Sequence, residues 1–340
     1  MSRIAIVAYE STPSVCSSMM MHIDMMSEAG HDIVMLVQTN IDHSLFSHVQ
    51  YTLEYYNDHH ELSALFSKYR VDKIWCTNPI YVLKLVRITK LPIYLWKQGD
   101  TAAESYMAHH SNIRKWALQM IDAYTLRKAA GVVYVSDAMK KYYENKYKVH
   151  TNSIVVPCLS EFAGIKCEVD RIPNSFVYIG GLSVWQCFDE TLQLYSKIRT
   201  KDSLLHIITL NTELAHDKVL EIIGDDHNID IYSIKDRSLI PSTLNKFQYG
   251  FLIRKKDVVN QVAAPIKFLE YLSCGVNIIM TDAIPSYAKL VQNEKIGTLI
   301  DFNNEKLSIN PYNPMAKDVY EKYFNHDLFV DDYKRLLMKK

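Results

Sequence analysis

Val259-Asn260-Gln261-Val262-Ala263-Ala264-Pro265-Ile266-Lys267-Phe268-Leu269-Glu270-Tyr271-Leu272-Ser273-Cys274-Gly275 lies between two apolar runs, Phe251 to Arg254 before it and Val276 to Met280 after it. Pro265 is placed to begin a helix and Gly275 to end one. Lys267 then falls in the first turn, where the backbone already presents partial positive charge. A further cation there is unfavourable by a few tenths to about 1 kcal/mol. An anion shared by the lysine and the helix N-terminus, such as a phosphate, removes that conflict. Glu270, one turn on, can accept hydrogen bonds from a sugar hydroxyl. Phosphate beside ribose is the chemistry of a sugar nucleotide. The same two residues, spaced i,i+3, also suit a surface ion pair of about 0.2–0.5 kcal/mol, so the stretch alone leaves both readings open.

The alternation of strand and helix extends along the whole chain. Ile4 to Ala8, Ile33 to Val37, Lys73 to Cys76, Ile93 to Trp96, Val132 to Val135 and Ile154 to Val156 read as buried strands of a first domain, residues 1–158. Residues 159–174 lose the pattern and read as a linker. It restarts with Phe176 to Ile179, Leu204 to Leu210, Ile229 to Ser233, Phe251 to Arg254, Val276 to Met280 and Thr298 to Ile300, in a second domain over residues 175–312. Strands alternating with helices predict parallel sheets, and each half has ordinary domain size, ~150 residues. The expected class is α/β, with two Rossmann-like domains facing a cleft and ligands at the carboxyl ends of the strands. Residues 313–340, helical from Met315 to Leu337, are expected to return towards the first domain, and the two domains to close on a ligand.

Composition excludes several classes. Lys plus Arg and Asp plus Glu number 38 each, so no global charge points to nucleic acid. No apolar run reaches the ~20 residues of a membrane span, and no early run suits a signal peptide. The six cysteines (Cys16, Cys76, Cys158, Cys167, Cys187, Cys274) form no C-x-x-C pair, which suits a reduced, cytoplasmic chain. Neither G-x-x-x-x-G-K-S/T nor G-x-G-x-x-G occurs, which argues against a P-loop ATPase and the common dinucleotide fingerprint. There is no H-E-x-x-H, no D-x-D after a strand, and no ligand spacing among the 13 histidines. No metal or other cofactor is expected.

Several segments, in order, resemble the GT-B glycosyltransferases. More narrowly they resemble the large retaining, family 4-like group that uses nucleotide-sugar donors, often in bacterial polysaccharide or glycoconjugate synthesis. Ala123 to Met139, with Gly131-Val132-Val133-Tyr134-Val135-Ser136, resembles the helix-strand-serine segment late in the family's first domain. Ile154-Val155-Val156-Pro157 resembles its last strand there, and Tyr178-Ile179-Gly180-Gly181-Leu182-Ser183 the opening of the donor domain. Asn260 to Gly275 resembles the donor-site helix, followed by Thr281-Asp282. The matches span most of the chain, and their order is more specific than any one of them.

The resemblance implies roles. Gly180 and Gly181 let backbone approach the diphosphate or the transferred sugar, or simply form a tight turn. Arg254 and Lys267 neutralise the diphosphate, although Arg254 also suits a strand-end surface charge. Glu270 holds the ribose. Asn260, Val262, Ala263, Pro265 and Ile266 line the donor sugar, the last four through backbone groups, and Ser233 lies where the family holds the base. Two departures stand out. Val262 replaces the first glutamate of the family's paired-glutamate motif, and Gly181 and Gln186 occupy the region of its usual arginine and lysine. Positive charge is then expected from Arg254 and Lys267 alone.

In the first domain, Trp96-Lys97-Gln98-Gly99-Asp100 through Glu104 occupies a post-strand loop where relatives carry His-Gly and a later glutamate. Asp100 and Glu104 become candidates to grip the acceptor or take its proton; they suit a helix N-cap and first turn equally well. His109 and His110 read as helix-surface residues. Between Asn112 and His150, Arg114, Lys115, Arg127, Lys128, Lys140, Lys141, Lys146 and Lys148 face only Asp122, Asp137 and Glu144, with Trp116 and tyrosines interleaved. Residues 112–150 could rest on anionic lipid at the inner face of the cell membrane or form a solvated helix face. The first suits a lipid-linked acceptor, the alternative being another glycan. The resemblance thus implies metal-independent transfer of a sugar to a hydroxyl in surface polysaccharide or glycoconjugate synthesis. An epimerase of the same fold and a non-catalytic partner subunit are the other readings.

Overall fold

The computed structural model describes residues 2–8, 12–46, 49–165, 169–302, 304 and 307–338. Cys167 lies outside them; the other five cysteines are free thiols. The strands are short, mostly buried runs without clean alternation, as expected when parallel strands are covered on both faces.

The chain forms two units. The first comprises Met1–Glu161, Val262–Ala264 and Asn325–Lys340, the second Phe162–Gln261 and Pro265–Phe324. In the first lie β1 (Arg3–Ala8), β2 (Asp32–Gln38), β3 (Thr52–Tyr56), β4 (Lys73–Cys76), β5 (Ile93–Lys97), β6 (Gly131–Tyr134) and β7 (Ser153–Val155). They form one parallel sheet in the order β3-β2-β1-β4-β5-β6-β7. Its helices are α1 (Pro13–Glu28), α2 (Glu61–Lys68), α3 (Pro79–Ile88), α4 (Thr101–His109), α5 (Asn112–Lys128) and α6 (Asp137–Tyr147). Asn78, Asp100, Ser111 and Ser136 start α3 to α6 by accepting the N–H of Ile80, Ala103, Arg114 and Met139, caps worth about 1 kcal/mol each.

The second unit repeats the plan. β8 (Ser175–Ile179), β9 (Leu204–Ile208), β10 (Ile229–Tyr232), β11 (Tyr249–Leu252), β12 (Asn277–Met280) and β13 (Gly297–Leu299) lie in the order β10-β9-β8-β11-β12-β13. The helices from α7 on are α7 (Phe188–Ile198), α8 (Thr212–Ile222), α9 (Ile240–Leu244), α10 (Val258–Val262), α11 (Ile266–Ser273), α12 (Pro285–Glu294) and α13 (Ala316–Phe324); α14 (Asp327–Met338) belongs to the first unit. Stacked Phe176, Tyr249 and Phe251, with Tyr195 edge-on, fill part of the core on one side of the second sheet.

Three details differ from the sequence reading. β3 was not expected: it is an edge strand paired only with β2, and of its residues only Tyr56 is buried, so it carries no apolar run. The run ending at Arg254 pairs only to Leu252, which leaves Arg254 in the following loop. The stretch Met315 to Leu337 is two helices, because Asn325 Oδ1 takes the N–H of Asp327 and starts a new one.

α14 is fastened to the first unit through a buried polar contact. Tyr333 Oη lies 2.5 Å from His22 Nδ1 on α1, and His22 packs against Trp75 and Trp96. Burial pushes the His22 imidazole down to about 3, so it stays neutral in the native state. Below its unfolded value of about 6.5 the unfolded chain binds a proton that the native chain refuses. Stability is therefore expected to fall as pH drops from about 6.5 towards 3. Urea denaturation at pH 7 and pH 4 should show a smaller loss for His22→Gln than for the parent; identical losses would exclude His22 as the titrating group.

Candidate active site

In the second sheet the strand order reverses between β8 and β11, where a crevice opens at the carboxyl ends of such strands. The loops leaving these two strands begin with Gly180-Gly181 and Ile253-Arg254. α11 is held against this point by Tyr271. Its hydroxyl accepts the Ile179 N–H at 3.1 Å and reaches the carbonyls of Val177 and Phe251. Gly250 makes room for the ring, since a Cβ there would lie 2.7 Å from it. Pro265 is the N-cap of α11, so the helix begins at Ile266, one position later than expected from the sequence, and Lys267 stands in the first turn. Gly275, at φ +70°, follows the C-terminus.

Two cations meet at the crevice. Lys267 is 5% exposed and Arg254 6%. Lys267 Nζ donates to Gln186 Oε1 at 2.8 Å and lies 4.2 Å from the centre of the Tyr178 ring. Arg254 donates to the same Oε1 at 3.1 Å and to the Gln186 carbonyl at 2.9 Å. Thr281, just beyond β12, fixes the Arg254 backbone by accepting its N–H and donating to its C=O. Gly180, at φ +133°, leaves the space that Lys267 uses: a Cβ there would lie 2.9 Å from Nζ. Burial holds the Lys267 ammonium well below the usual lysine range, and Arg254 adds to that, while Glu270 opposes it. Burial also lowers Arg254. Two desolvated cations thus share one neutral amide oxygen. An unneutralised buried charge is costly, and the arrangement calls for an anion with several oxygens.

Glu270 Oε1 accepts from Arg237 at 2.7 Å, and both side chains are largely buried. Arg237 sits in the loop after β10, four residues beyond Ser233, which is exposed just past that strand. Neither surface pairing with Lys267 nor an unaccompanied carboxylate describes Glu270, and a third cation joins the two expected from the sequence. Asn260 is buried and spends its amide on the Lys255 carbonyl and Asp257. Val262 and Ala263 group with the first unit, where the Val262 carbonyl accepts from Ser136 Oγ at 2.6 Å. Pro265 and Ile266 are half-buried at the start of α11, and Gly181 is exposed with open space around it.

Asp100 and Glu104 belong to a second cluster, inside the first unit. Asp100 is 1% exposed. One of its oxygens caps α4, the other accepts from Tyr142 at 2.8 Å, and Lys146 stands 3.7 Å away. Lys97, buried at the end of β5, donates to Asp122 on α5 at 2.6 Å and lies over the Tyr143 ring. Burial raises the Glu104 carboxyl, with Asp100 adding and Lys97 opposing. The Glu104 carboxylate lies against Gly99, where a Cβ would displace it.

Gln186, Arg237, Tyr271 and Lys97 were not singled out as site residues from the sequence. Arg237 carried one usable signal, a basic residue in the loop that follows a donor-domain strand.

Neither protein-family models nor curated proteins match the sequence. Solved structures do match the fold. A TarM variant from S. aureus, in complex with fondaparinux, α-GlcNAc-glycerol and UDP, aligns over 100% of both chains with TM-score 0.74 at 8% identity. The two parallel sheets of this chain, with an alignment that spans the full length of both chains, decide the architecture. The fold is GT-B. HepE from Anabaena in complex with UDP-glucose aligns over 99% of both chains, with TM-score 0.67 and 9% identity. AviGT4, a glycosyltransferase involved in avilamycin A biosynthesis, aligns over 100% of this chain and 99% of its own, with TM-score 0.63 and 11% identity. Within this GT-B fold, the buried cation pair lies at the switch point of the second sheet.

Proposed function

We propose that this chain is a glycosyltransferase that moves a sugar from a nucleoside-diphosphate sugar to a hydroxyl of a glycan or lipid-linked acceptor, with retention, in surface polysaccharide or glycoconjugate synthesis. The observation that carries this reading is the buried pair Lys267 and Arg254 converging on one neutral oxygen beside Gly180. As the glycosidic bond to phosphate breaks, negative charge grows on the leaving diphosphate. Preorganised cations in a water-poor site stabilise that charge. The diphosphate takes the position of the Gln186 amide oxygen, Glu270 receives the ribose with its second oxygen, and the loop after β10, with Ser233, receives the base. No step in this scheme needs a metal ion. On the acceptor side, Asp100 has both oxygens committed. Glu104, with its raised carboxyl, is the proposed proton acceptor. The similar TarM and HepE structures contain UDP or UDP-glucose, in keeping with this reading.

Calorimetric titration with nucleoside diphosphates tests the donor site. Binding is expected, and Glu270→Gln should weaken it by about 1–3 kcal/mol for ribose-bearing ligands. Arg237→Met should weaken it less, since it leaves the carboxylate in place. Equal losses would reduce Glu270 to a partner of Arg237. Release of nucleoside diphosphate only with an acceptor present marks a transferase. Epimerised donor without acceptor, or binding without turnover, would overturn the assignment.

A further inference from the structure

α5 turns a polar pair inward and large apolar residues outward. Its buried side carries Asp122, paired with Lys97, Thr125, whose hydroxyl bonds back to the Ile121 carbonyl, and one apolar residue, Leu126. Its outward side carries Ile113, 82% exposed, Trp116, 64%, Met120, 53%, and Tyr124, 42%. With exposed Ala117, residues 113, 117, 120 and 124 follow one line along the helix, and Trp116 stands beside it. The ends of this line are basic: Arg114 at one end, Arg127 and Lys128 at the other, all exposed. Arg127 also bonds the Tyr147 carbonyl, which brings Lys148 to the same end. Asp122, the one carboxylate of α5, points inward.

We propose that this face of α5 lies on an anionic phospholipid surface. Ile113 and Met120 enter the acyl boundary, Trp116 and Tyr124 sit at headgroup level, and the cationic ends meet lipid phosphates. Charge selects this occupant over a second copy of the chain. Pairing two α5 helices sets Arg114 of one against Arg127 and Lys128 of the other when antiparallel, and like residues against each other when parallel. Either arrangement places cations together around the apolar line. Among the described residues no helix is long and apolar enough to cross a membrane, so the contact is peripheral. α5 belongs to the first unit, whereas Arg254, Lys267 and Glu270 belong to the second.

Co-sedimentation of the full chain with vesicles of phosphatidylcholine, alone or mixed with phosphatidylglycerol, tests this. Binding to the mixed vesicles is expected, with a blue shift of the exposed Trp116. Trp116→Ser with Met120→Ser should lower partitioning at least tenfold, and Arg114→Glu with Lys128→Glu should remove the dependence on phosphatidylglycerol. Far-UV circular dichroism and melting temperatures of these variants should match the parent, which confirms that they fold. No binding to mixed vesicles, or equal binding by parent and variants, overturns the proposal. So does a dimer in sedimentation equilibrium that the Trp116 and Met120 changes abolish, because it gives the face to a second copy.

Discussion

Replacing Lys267 with methionine is expected to lower turnover about 10²–10³-fold, the cost of removing one preorganised donor from a developing anion, while leaving the fold at least as stable. The two outcomes have one cause. Without an anion, the Lys267 ammonium is buried beside the Arg254 guanidinium and has only a neutral amide oxygen and the Tyr178 ring to face. Methionine fills similar volume without desolvating a charge. Arg254→Met should lower turnover to a similar extent, with some loss of order in the turn at Gln186, whose carbonyl it holds. The lowered Lys267 ammonium adds a pH signature. Between its native value and about 10.4 the unfolded chain binds more protons than the native one, so this group makes stability rise with pH through that window. A diphosphate favours the protonated form, so binding should take up a proton when pH exceeds the native value. Calorimetry in buffers of different ionisation enthalpy measures that uptake. Near-parental turnover in both variants would remove the leaving-group site. A large drop in melting temperature for Lys267→Met would make Lys267 a structural residue.

The largest effect on stability is expected in the first unit. Lys97→Met or Asp122→Leu alone should cost about 3–5 kcal/mol, because each leaves its partner charged, buried and unpaired. The pair lies at 2.6 Å with both side chains almost wholly buried, and the second oxygen of Asp122 has no donor among the described residues. Burial raises the Asp122 carboxyl, and Lys97 only partly offsets this. The double variant should recover most of the loss, since an apolar pair of similar volume needs no desolvation. Urea denaturation of the four proteins gives the coupling directly. Additive losses, with the double variant the least stable, would show that the two charges do not depend on each other.

Legibility in the sequence followed the range of the interaction. Runs such as Ile4 to Ala8 and Val276 to Met280 are local, and burial of both sheet faces makes them apolar throughout, so the parallel α/β plan could be read from them. β3 escaped because an edge strand with one buried residue needs no such run. The helix at Lys267 was legible from Pro265 and Gly275, as was the conflict between its first turn and a lysine. What faces Lys267 was not, because Gln186 lies 81 positions away and reaches it only when β8 and β11 pair.

The sequence by itself thus determined the class of fold, the helix that carries Lys267 and Glu270, and their i,i+3 spacing. These depend on periodicity and on residues that start or stop a helix within a few positions. Only the tertiary structure decided which charges are satisfied. It committed both oxygens of Asp100 to a helix cap and Tyr142, placed Arg237 on Glu270, and left Lys267 and Arg254 sharing an amide. It also decided which side of α5 meets solvent, since apolar residues occur on several sides of that helix and the buried Lys97–Asp122 pair draws one of them inward. The physical reason is common to all of these. A charge is stable where its counter-charge and its desolvation balance, and that balance is set by groups far apart in the chain that packing alone brings together.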